Sequence, residues 1–413
     1  MRNPEDELIE ILKGAGIDFT SSLPCEKIKL LLEMISSSFY HIPLTREEEG
    51  VGISTGAALS GRRPAIFVQS SGIGNMINSL LSLTGFYELP LSIFVSQRGI
   101  HKEKIAAQFP MGQRLPGILK GAGIPYSVIS SRKDFSIIKK KLNDVYSKNK
   151  IHAFLLNPVI WEKSKSGSQP SALSPQQNKT EANKPAIKYR NLSFPPVGNL
   201  SFSLMKKDTG QAGMTKPDDT LLNRISSPKL TRFEILEIIA PYLNTKIVVC
   251  NLGFPSKELF DIKHQPSNFY MLGSMGMATP IGLGISITSV KDVVVIDGDG
   301  SLLMNPGTLA TAAYLSPRNL TILAIDNGSY GSTGDQPTLT GSCVDLEKVA
   351  KGFGMRNTFK VSARKQLINI MKNRSKGLRF IHALAIPGNK DVPNIPLHHL
   401  KIKKQVQDFL KTE

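Results

Sequence analysis

Residues 298–336 read GDGSLLMNPGTLATAAYLSPRNLTILAIDNGSYGSTGDQ. Just before this stretch an apolar run, Val293-Val294-Val295-Ile296, leads into Asp297-Gly298-Asp299-Gly300-Ser301. Within it a second apolar run, Leu320 to Ile325, leads into Asp326-Asn327-Gly328-Ser329-Tyr330. A helix-length segment near 306–315 separates the two. Consecutive parallel strands joined by a helix place their carboxyl ends side by side, and open α/β sheets bind ligands along that edge. Asp299 and Asn327 stand 28 positions apart in the chain, yet this topology makes them neighbours. A carboxylate, an amide oxygen and nearby backbone carbonyls are hard oxygen ligands suited to Mg²⁺, which leans on substrate phosphates for the rest of its shell. Gly298 and Gly300 remove side chains where a phosphate approaches the backbone, and the amides that follow can cradle it.

The chain has 413 residues, enough for two or three domains, and 40% of them are hydrophobic. No apolar run reaches the length of a membrane span. The first residues, MRNPEDELIE, are acidic and amphipathic, unlike a signal peptide. Cys25, Cys250 and Cys343 show no CxxC spacing, which speaks for a reduced, cytoplasmic protein without a zinc site. The net charge of +18 raises the question of nucleic acid. The basic residues are scattered over the middle segment and the last third, with no aromatic platform among them. They read as solvated surface and as steering for an anionic substrate; no nucleic-acid and no membrane partner is expected.

Two stretches alternate helix and strand. In the first, helices are expected over 4–13, 25–36, 47–59, 75–83 and 133–145, with strands over 65–69, 91–96, 126–129 and 152–156. In the second, helices are expected over 232–240, 278–289 and 306–315, with strands over 246–250, 269–272, 292–296, 320–326 and 379–385. Between them, from 163 to 227, Ser, Gln, Asn, Pro and Lys dominate and no apolar period survives, the signature of a basic low-complexity linker. The fold class is therefore α/β: two domains, 1–162 and 228–413, each a parallel sheet flanked by helices.

Thr45-Arg46-Glu47-Glu48-Glu49 opens the helix at 47. Thr45 and Glu48 have capping-box spacing, Glu47 falls in the first turn near the positive end of the dipole, and Glu49 is expected to face water. Taken alone, the three acids need no more than that explanation. Gly52 and Gly56, each costing about 1 kcal/mol against Ala in a helix, imply close approach by another backbone.

The GDG corner followed by Asn at the next strand end resembles the diphosphate signature of thiamine diphosphate (ThDP) enzymes. Those enzymes also carry a glutamate nine positions before a helix glycine, which here selects Glu47 ahead of Gly56. The stretches REEEGVGISTGA (46–57), QSSGIGNMINSLLSL (69–83), RGIHKEKIAAQFPMG (98–112), GSMGMA (273–278) and DNGSYGSTGDQPT (326–338) are similar to the sulfopyruvate decarboxylase family, often two separate subunits that here look fused. The resemblance implies two ThDP-binding domains, an aminopyrimidine-binding one over 1–162 and a diphosphate-binding one over 228–413. It implies decarboxylation of 3-sulfopyruvate to sulfoacetaldehyde and CO₂, a step toward coenzyme M in methanogens, with ThDP and Mg²⁺ as cofactors. Glu47 would be the catalytic group, hydrogen-bonding the aminopyrimidine N1′. The Gly273 carbonyl and the Met275 side chain would hold the cofactor bent. Gly298, Asp299, Gly300, Ser301, Asn327, Ser329 and Gly331 would bind its diphosphate end, with Asp299, Asn327 and the Ser329 carbonyl on the metal.

Ser70, Ser71, Asn75, Arg98, His101 and Gln108 are the candidates for a small 2-keto acid bearing an anionic head. The resemblance also implies a homo-oligomer, at least a dimer, with sites between chains. Asp326 departs from the Asn that many ThDP enzymes place there. Phosphonopyruvate decarboxylation, another small 2-keto acid decarboxylase or carboligase, and a cofactor-free binding module are the competing readings.

Overall fold

The computed structural model describes residues 3–162, 164, 227–373 and 377–412. The expected linker therefore lies outside the described residues, apart from Ser164 and Ser227. Strands β1 (Phe19–Ser22), β2 (Tyr40–Pro43), β3 (Pro64–Gln69), β4 (Leu91–Ser96), β5 (Tyr126–Ile129) and β6 (Ile151–Leu156) form a six-stranded parallel sheet in the order β2-β1-β3-β4-β6-β5. A second parallel sheet has the order β13-β14-β10-β9-β7-β8. It is built from β7 (Ile247–Cys250), β8 (Asn268–Tyr270), β9 (Val293–Gly298), β10 (Leu320–Asp326), β13 (Thr358–Val361) and β14 (Arg379–Leu384). A short hairpin, β11 (Ser329–Tyr330) with β12 (Gln336–Pro337), follows β10. Helices flank both sheets.

The strands expected from apolar runs include the inner β3, β4, β6, β7, β9, β10 and β14 and the edge strands β5 and β8. β4 and β10 are buried at every residue, as strands covered on both faces must be. β1 and β2 were not foreseen, because FTSS and YHIP carry no apolar run. Their polar groups answer one another: the His41 ring lies 3.0 Å from Thr20 Oγ1 and 3.1 Å from Ser22 Oγ. The helix expected at 75 begins instead at Ser70 and gives way to a π-turn at Leu80–Gly85. Gly72 and Gly74 mask that start in the sequence. A further unforeseen helix, His399–Lys411, buries Ile402 and Val406 and crosses back to the first half. There His399 stacks on Phe86 at 4.1 Å and Lys403 Nζ donates to the Glu88 carbonyl.

The two halves meet through helices Glu47–Leu59 and Ala278–Ser286, both buried along their whole length. A Cβ on Gly56 would lie 2.2 Å from the Ile281 carbonyl oxygen, and one on Gly284 would lie 2.1 Å from that of Ile53. Two glycines thus allow backbone-to-backbone contact, the close approach expected from Gly56. Tyr87 ties the same seam, donating to the Tyr270 carbonyl at 3.0 Å and accepting from Leu272 N at 3.2 Å. Among the described residues no helix is long and apolar enough to cross a membrane.

Gly56→Ala tests this seam by the sign of its effect. Helix propensity alone would stabilise the variant by about 1 kcal/mol. The missing space reverses that, and urea unfolding is expected to register a net loss of about 1–3 kcal/mol.

Candidate active site

β9 and β10 pair in parallel with Ile325 opposite Gly298, so Asp299 and Asn327 emerge side by side at one sheet edge. Both are buried. Asp299 Oδ2 accepts hydrogen bonds from Thr338 and, at 2.8 Å, from Thr340. Thr340 also lies 2.7 Å from Asp326 Oδ1 and 2.8 Å from Thr338. Four close oxygen–oxygen contacts therefore share two hydroxyl protons. Such a cluster is short of positive charge. Burial accordingly raises the Asp299 carboxyl above its usual range, and the nearby Asp326 adds to the shift. A cation at this corner would supply what is missing, so the residues fit a magnesium ion held by carboxylate, amide and carbonyl oxygens. Among the described residues no cluster of three or more His, Cys, Asp or Glu offers a different metal centre.

Asp326, the departure from the common Asn, has its own partner. The His382 ring, buried on β14, lies 2.7 Å from Asp326 Oδ2. Burial pushes the Asp326 carboxyl up, but the bonds from His382 and Thr340 outweigh it and leave it below its ordinary value. Nothing in the sequence around 326 announces His382; only the sheet register does, pairing Ala324 with His382. Asn327 folds onto its own loop, with Nδ2 3.2 Å from Ser329 Oγ and Oδ1 accepting from Ser329 N.

Gly300 is closely covered: a Cβ there would lie 2.2 Å from the Tyr330 ring. Ser301 Oγ accepts from Gly276 N at 3.1 Å, which joins the GDG corner to the Gly273–Gly276 turn. That turn needs left-handed backbone at Ser274 and Gly276. It abuts the first half, where Ser274 and Ser82 hydroxyls lie 2.6 Å apart and a Gly273 Cβ would be 2.9 Å from the Ser82 carbonyl. Met275 in the turn is half-buried, and the flanking Leu81, Leu272 and Met304 are exposed apolar side chains.

Glu47 begins its helix with Arg46 as the cap. Its carboxylate accepts from Asn75 Nδ2 at 3.0 Å and packs on Gly72, where a Cβ would come within 2.7 Å of Oε1. The neighbouring acids differ from expectation. With the helix starting at 47, Thr45 sits one position too far out to pair with Glu48, and its hydroxyl donates to Glu49 at 2.9 Å. Glu49 does not face water; it is fully buried and also bonds Thr311 of the second half. Glu48 turns to Arg46 and Asn305. Asn305 also lies 3.3 Å from where a Gly276 Cβ would be, so the start of the Glu47 helix and the Met275 turn share a neighbour. Of the three acids, Glu47 is the one lying against Gly72 and Asn75. Both halves of this arrangement belong to one chain here, whereas the resemblance implied sites between chains. The seam requires one half of each kind and not a particular chain to supply it.

The substrate candidates separate into two groups. Ser71, Asn75 and Gln108 lie at or near the surface, Asn75 already on Glu47. The others have structural partners. Ser70 is buried and accepts from Arg98 N at 2.9 Å. Arg98 is buried in a bidentate pair with Glu103, at 2.6 and 2.8 Å, and is not solvated surface. His101 and Lys102 both hold Glu162, which Lys102 first and His101 second lower to about 2. The sequence reading missed Glu103 because one acid among basic residues looks like surface.

Comparison with known proteins fits this geometry. Residues 255–383 match the family described as thiamine pyrophosphate enzyme, C-terminal TPP binding domain. The sulfopyruvate decarboxylase of Methanosarcina acetivorans is 39% identical over 99% of this chain and 98% of its own. The chain belongs to the sulfopyruvate decarboxylase family. In Methanococcus maripaludis the relatives are separate subunits: beta is 44% identical over 44% of this chain and 99% of itself, alpha 39% over 40% and 99%. This member of the family carries both parts in one polypeptide. A solved ThDP-dependent enzyme from Mycobacterium smegmatis, titled as putative, covers 94% of this chain and 100% of its own at a TM-score of 0.65. With 14% identity that likeness speaks for the fold.

The Arg98–Glu103 pair gives a pH-dependent test. The Arg98 guanidinium holds the Glu103 carboxyl far below its ordinary value of 4.5. A carboxyl depressed by folding contributes stability that is fully present above its unfolded pKa and is lost as pH falls through the folded one. Glu103→Gln, which leaves Arg98 buried and unpaired, is expected to cost about 3–5 kcal/mol at pH 7. In urea titrations the gap from wild type should close progressively below pH ~4.5.

Proposed function

We propose that this chain decarboxylates 3-sulfopyruvate non-oxidatively to sulfoacetaldehyde and CO₂ with ThDP and Mg²⁺ bound. The observation that carries the reading is that the Glu47 helix and the Gly273–Gly276 turn share Asn305, while Ser301 ties the same turn to the Asp299 corner. Asp299, Asn327 and the Ser329 carbonyl would hold the metal. Gly298, Gly300, Ser301 and Gly331 would meet the diphosphate. Glu47, steadied by Asn75, would take the aminopyrimidine N1′ hydrogen bond; the Gly273 carbonyl would accept from its amino group, with Met275 packed beneath. When bound, ThDP supplies the electron sink for the pair left behind by departing CO₂.

Arg98, His101 and Asn75 already hold carboxylates, which favours Ser71 and Gln108 for the substrate's anionic groups. The boundaries 1–162 and 228–413, a cytoplasmic location and a place on the way to coenzyme M belong to the same proposal. So does a homo-oligomer of at least two copies; the seam described above joins both halves within one polypeptide, and sites shared between chains are the alternative that the mixing experiment below decides.

Two measurements test the reading. Glu47→Gln should lower kcat for CO₂ release from sulfopyruvate by about 10²–10⁴-fold, the usual weight of an acid–base group, while ThDP still binds in calorimetry. Full turnover by this variant would sink the assignment. If sites are shared between chains, mixing Glu47→Gln with Asp299→Asn, each inactive alone, should restore part of the rate; absence of restoration would place both groups of a site in one chain.

A further inference from the structure

We propose that Asn389 is a positioning residue for the loop that carries the metal- and diphosphate-binding groups, oriented by a buried ion pair, Arg232–Glu258, outside that site. The inference rests on the diphosphate reading above and extends it to residues that no sequence motif marks.

Arg232 opens helix Arg232–Ile239, and Glu258 lies within helix Phe254–Lys263. Both are buried, and the guanidinium meets the carboxylate through two parallel bonds of 2.8 Å. Such a fork fixes the guanidinium plane. The same Nη2 donates to Asn389 Oδ1 at 2.8 Å, and Lys390 N donates to Glu258 Oε1 at 3.0 Å. A guanidinium has donors only, so the Asn389 oxygen must face it and the amide nitrogen must face the other way. Asn389 Nδ2 there donates to the Gly331 carbonyl at 2.8 Å. A Cβ on Gly331 would fall 2.5 Å from Asn389 Oδ1; glycine at 331 is what lets the amide lie against the loop.

The segment bearing Asn389 is itself located beside Arg232. Thr231 bridges Ile386, and Ile386 N donates to the Leu230 carbonyl at 2.8 Å. The loop's other end is held from within, with Gly328 N on Asp326 Oδ1 at 3.1 Å and Thr338 N on the Gly328 carbonyl at 2.9 Å. The backbone from 328 to 331 is thus fixed at both ends, and Ser329 sits between. A carbonyl offered to a metal must not swing, and partners behind the ligands typically change affinity 10–100-fold when removed.

An ion pair that merely staples two helices predicts something different, and Asn389→Asp separates the two roles. Aspartate keeps an acceptor for Arg232 but turns a second oxygen toward the Gly331 carbonyl. On the full chain, calorimetric titration with ThDP at saturating Mg²⁺ should give a Kd raised about 10–100-fold for Asn389→Asp and Asn389→Ala. The melting temperature of cofactor-free Asn389→Asp should match wild type, and kcat should recover at saturating ThDP. An unchanged Kd would overturn the proposal, as would a raised Kd found only with a lowered cofactor-free melting temperature. Asp299→Ala serves as the reference. If it binds ThDP like wild type, the diphosphate reading itself falls; if it loses binding while Asn389→Asp does not, only the role of Asn389 falls.

Discussion

One backbone contact governs the rest of the molecule: the crossing of helices Glu47–Leu59 and Ala278–Ser286 at Gly56 and Gly284. Each glycine stands where a Cβ would enter the other helix's backbone. The crossing sets the distance between two sheets that are otherwise separate α/β layers. It also fixes where the ends of the two helices fall. Glu47 begins one, and the Gly273–Gly276 turn leads into the other. Helix packing at ordinary side-chain distance, 8–10 Å between axes, would move the Glu47 carboxylate away from the Gly273–Gly276 turn. The stability of the seam and the geometry of the site are therefore one quantity, and the glycines that weaken each helix in isolation are what the site requires.

Around this seam the buried charges fall into two kinds. Arg98–Glu103 and Arg232–Glu258 are closed pairs, each carboxylate met by a forked guanidinium and by backbone amides. Removing one partner of such a pair is costly because the other charge stays behind, so these pairs serve as rigid anchors. The Asp299 corner is the opposite case. Its oxygens outnumber the protons offered to them, and burial, with Asp326 nearby, holds its carboxyl high. Asp297 on β9 is likewise buried with its carboxyl held high, but it faces Thr279 and not a second carboxylate. The closed pairs belong to the frame, and at the Asp299–Asp326 corner two buried carboxylates approach one another through Thr340.

Much of this was legible in the sequence where a physical period or a backbone requirement marks it. The inner strands β3, β4, β9 and β10 announce themselves as apolar runs, and the Glu47–Leu59 helix was expected at the observed bounds. Gly56 implied a close approach before any partner was known. The polar strands β1 and β2 were invisible, because their burial is offset by hydrogen bonds from His41 rather than by apolar side chains. The misplacement of Glu49 has the same origin: capping spacing assigns a water-facing role to an acid that the second half of the chain covers with Thr311. Glu103 was missed because one acid among basic residues looks like surface, and His382 and Asn389 because their partners lie on other elements, where a one-dimensional reading sees only neighbours along the chain.

Asp326 shows how such long-range pairing rewrites a local departure. Read alone, aspartate in place of the common asparagine puts a second carboxylate beside Asp299. That would raise the charge of the corner and spoil its balance. His382 on the adjacent strand removes the difficulty by occupying one oxygen, and Gly328 N and Thr340 take the other. Asp326 is then a fixed acceptor for the turn into Asn327, with Gly328 N and His382 on its two oxygens. A motif residue and its deviation are thus compatible with one function when the sheet brings a hydrogen-bonding partner into register. The register, not the motif, decides which carboxylate remains open.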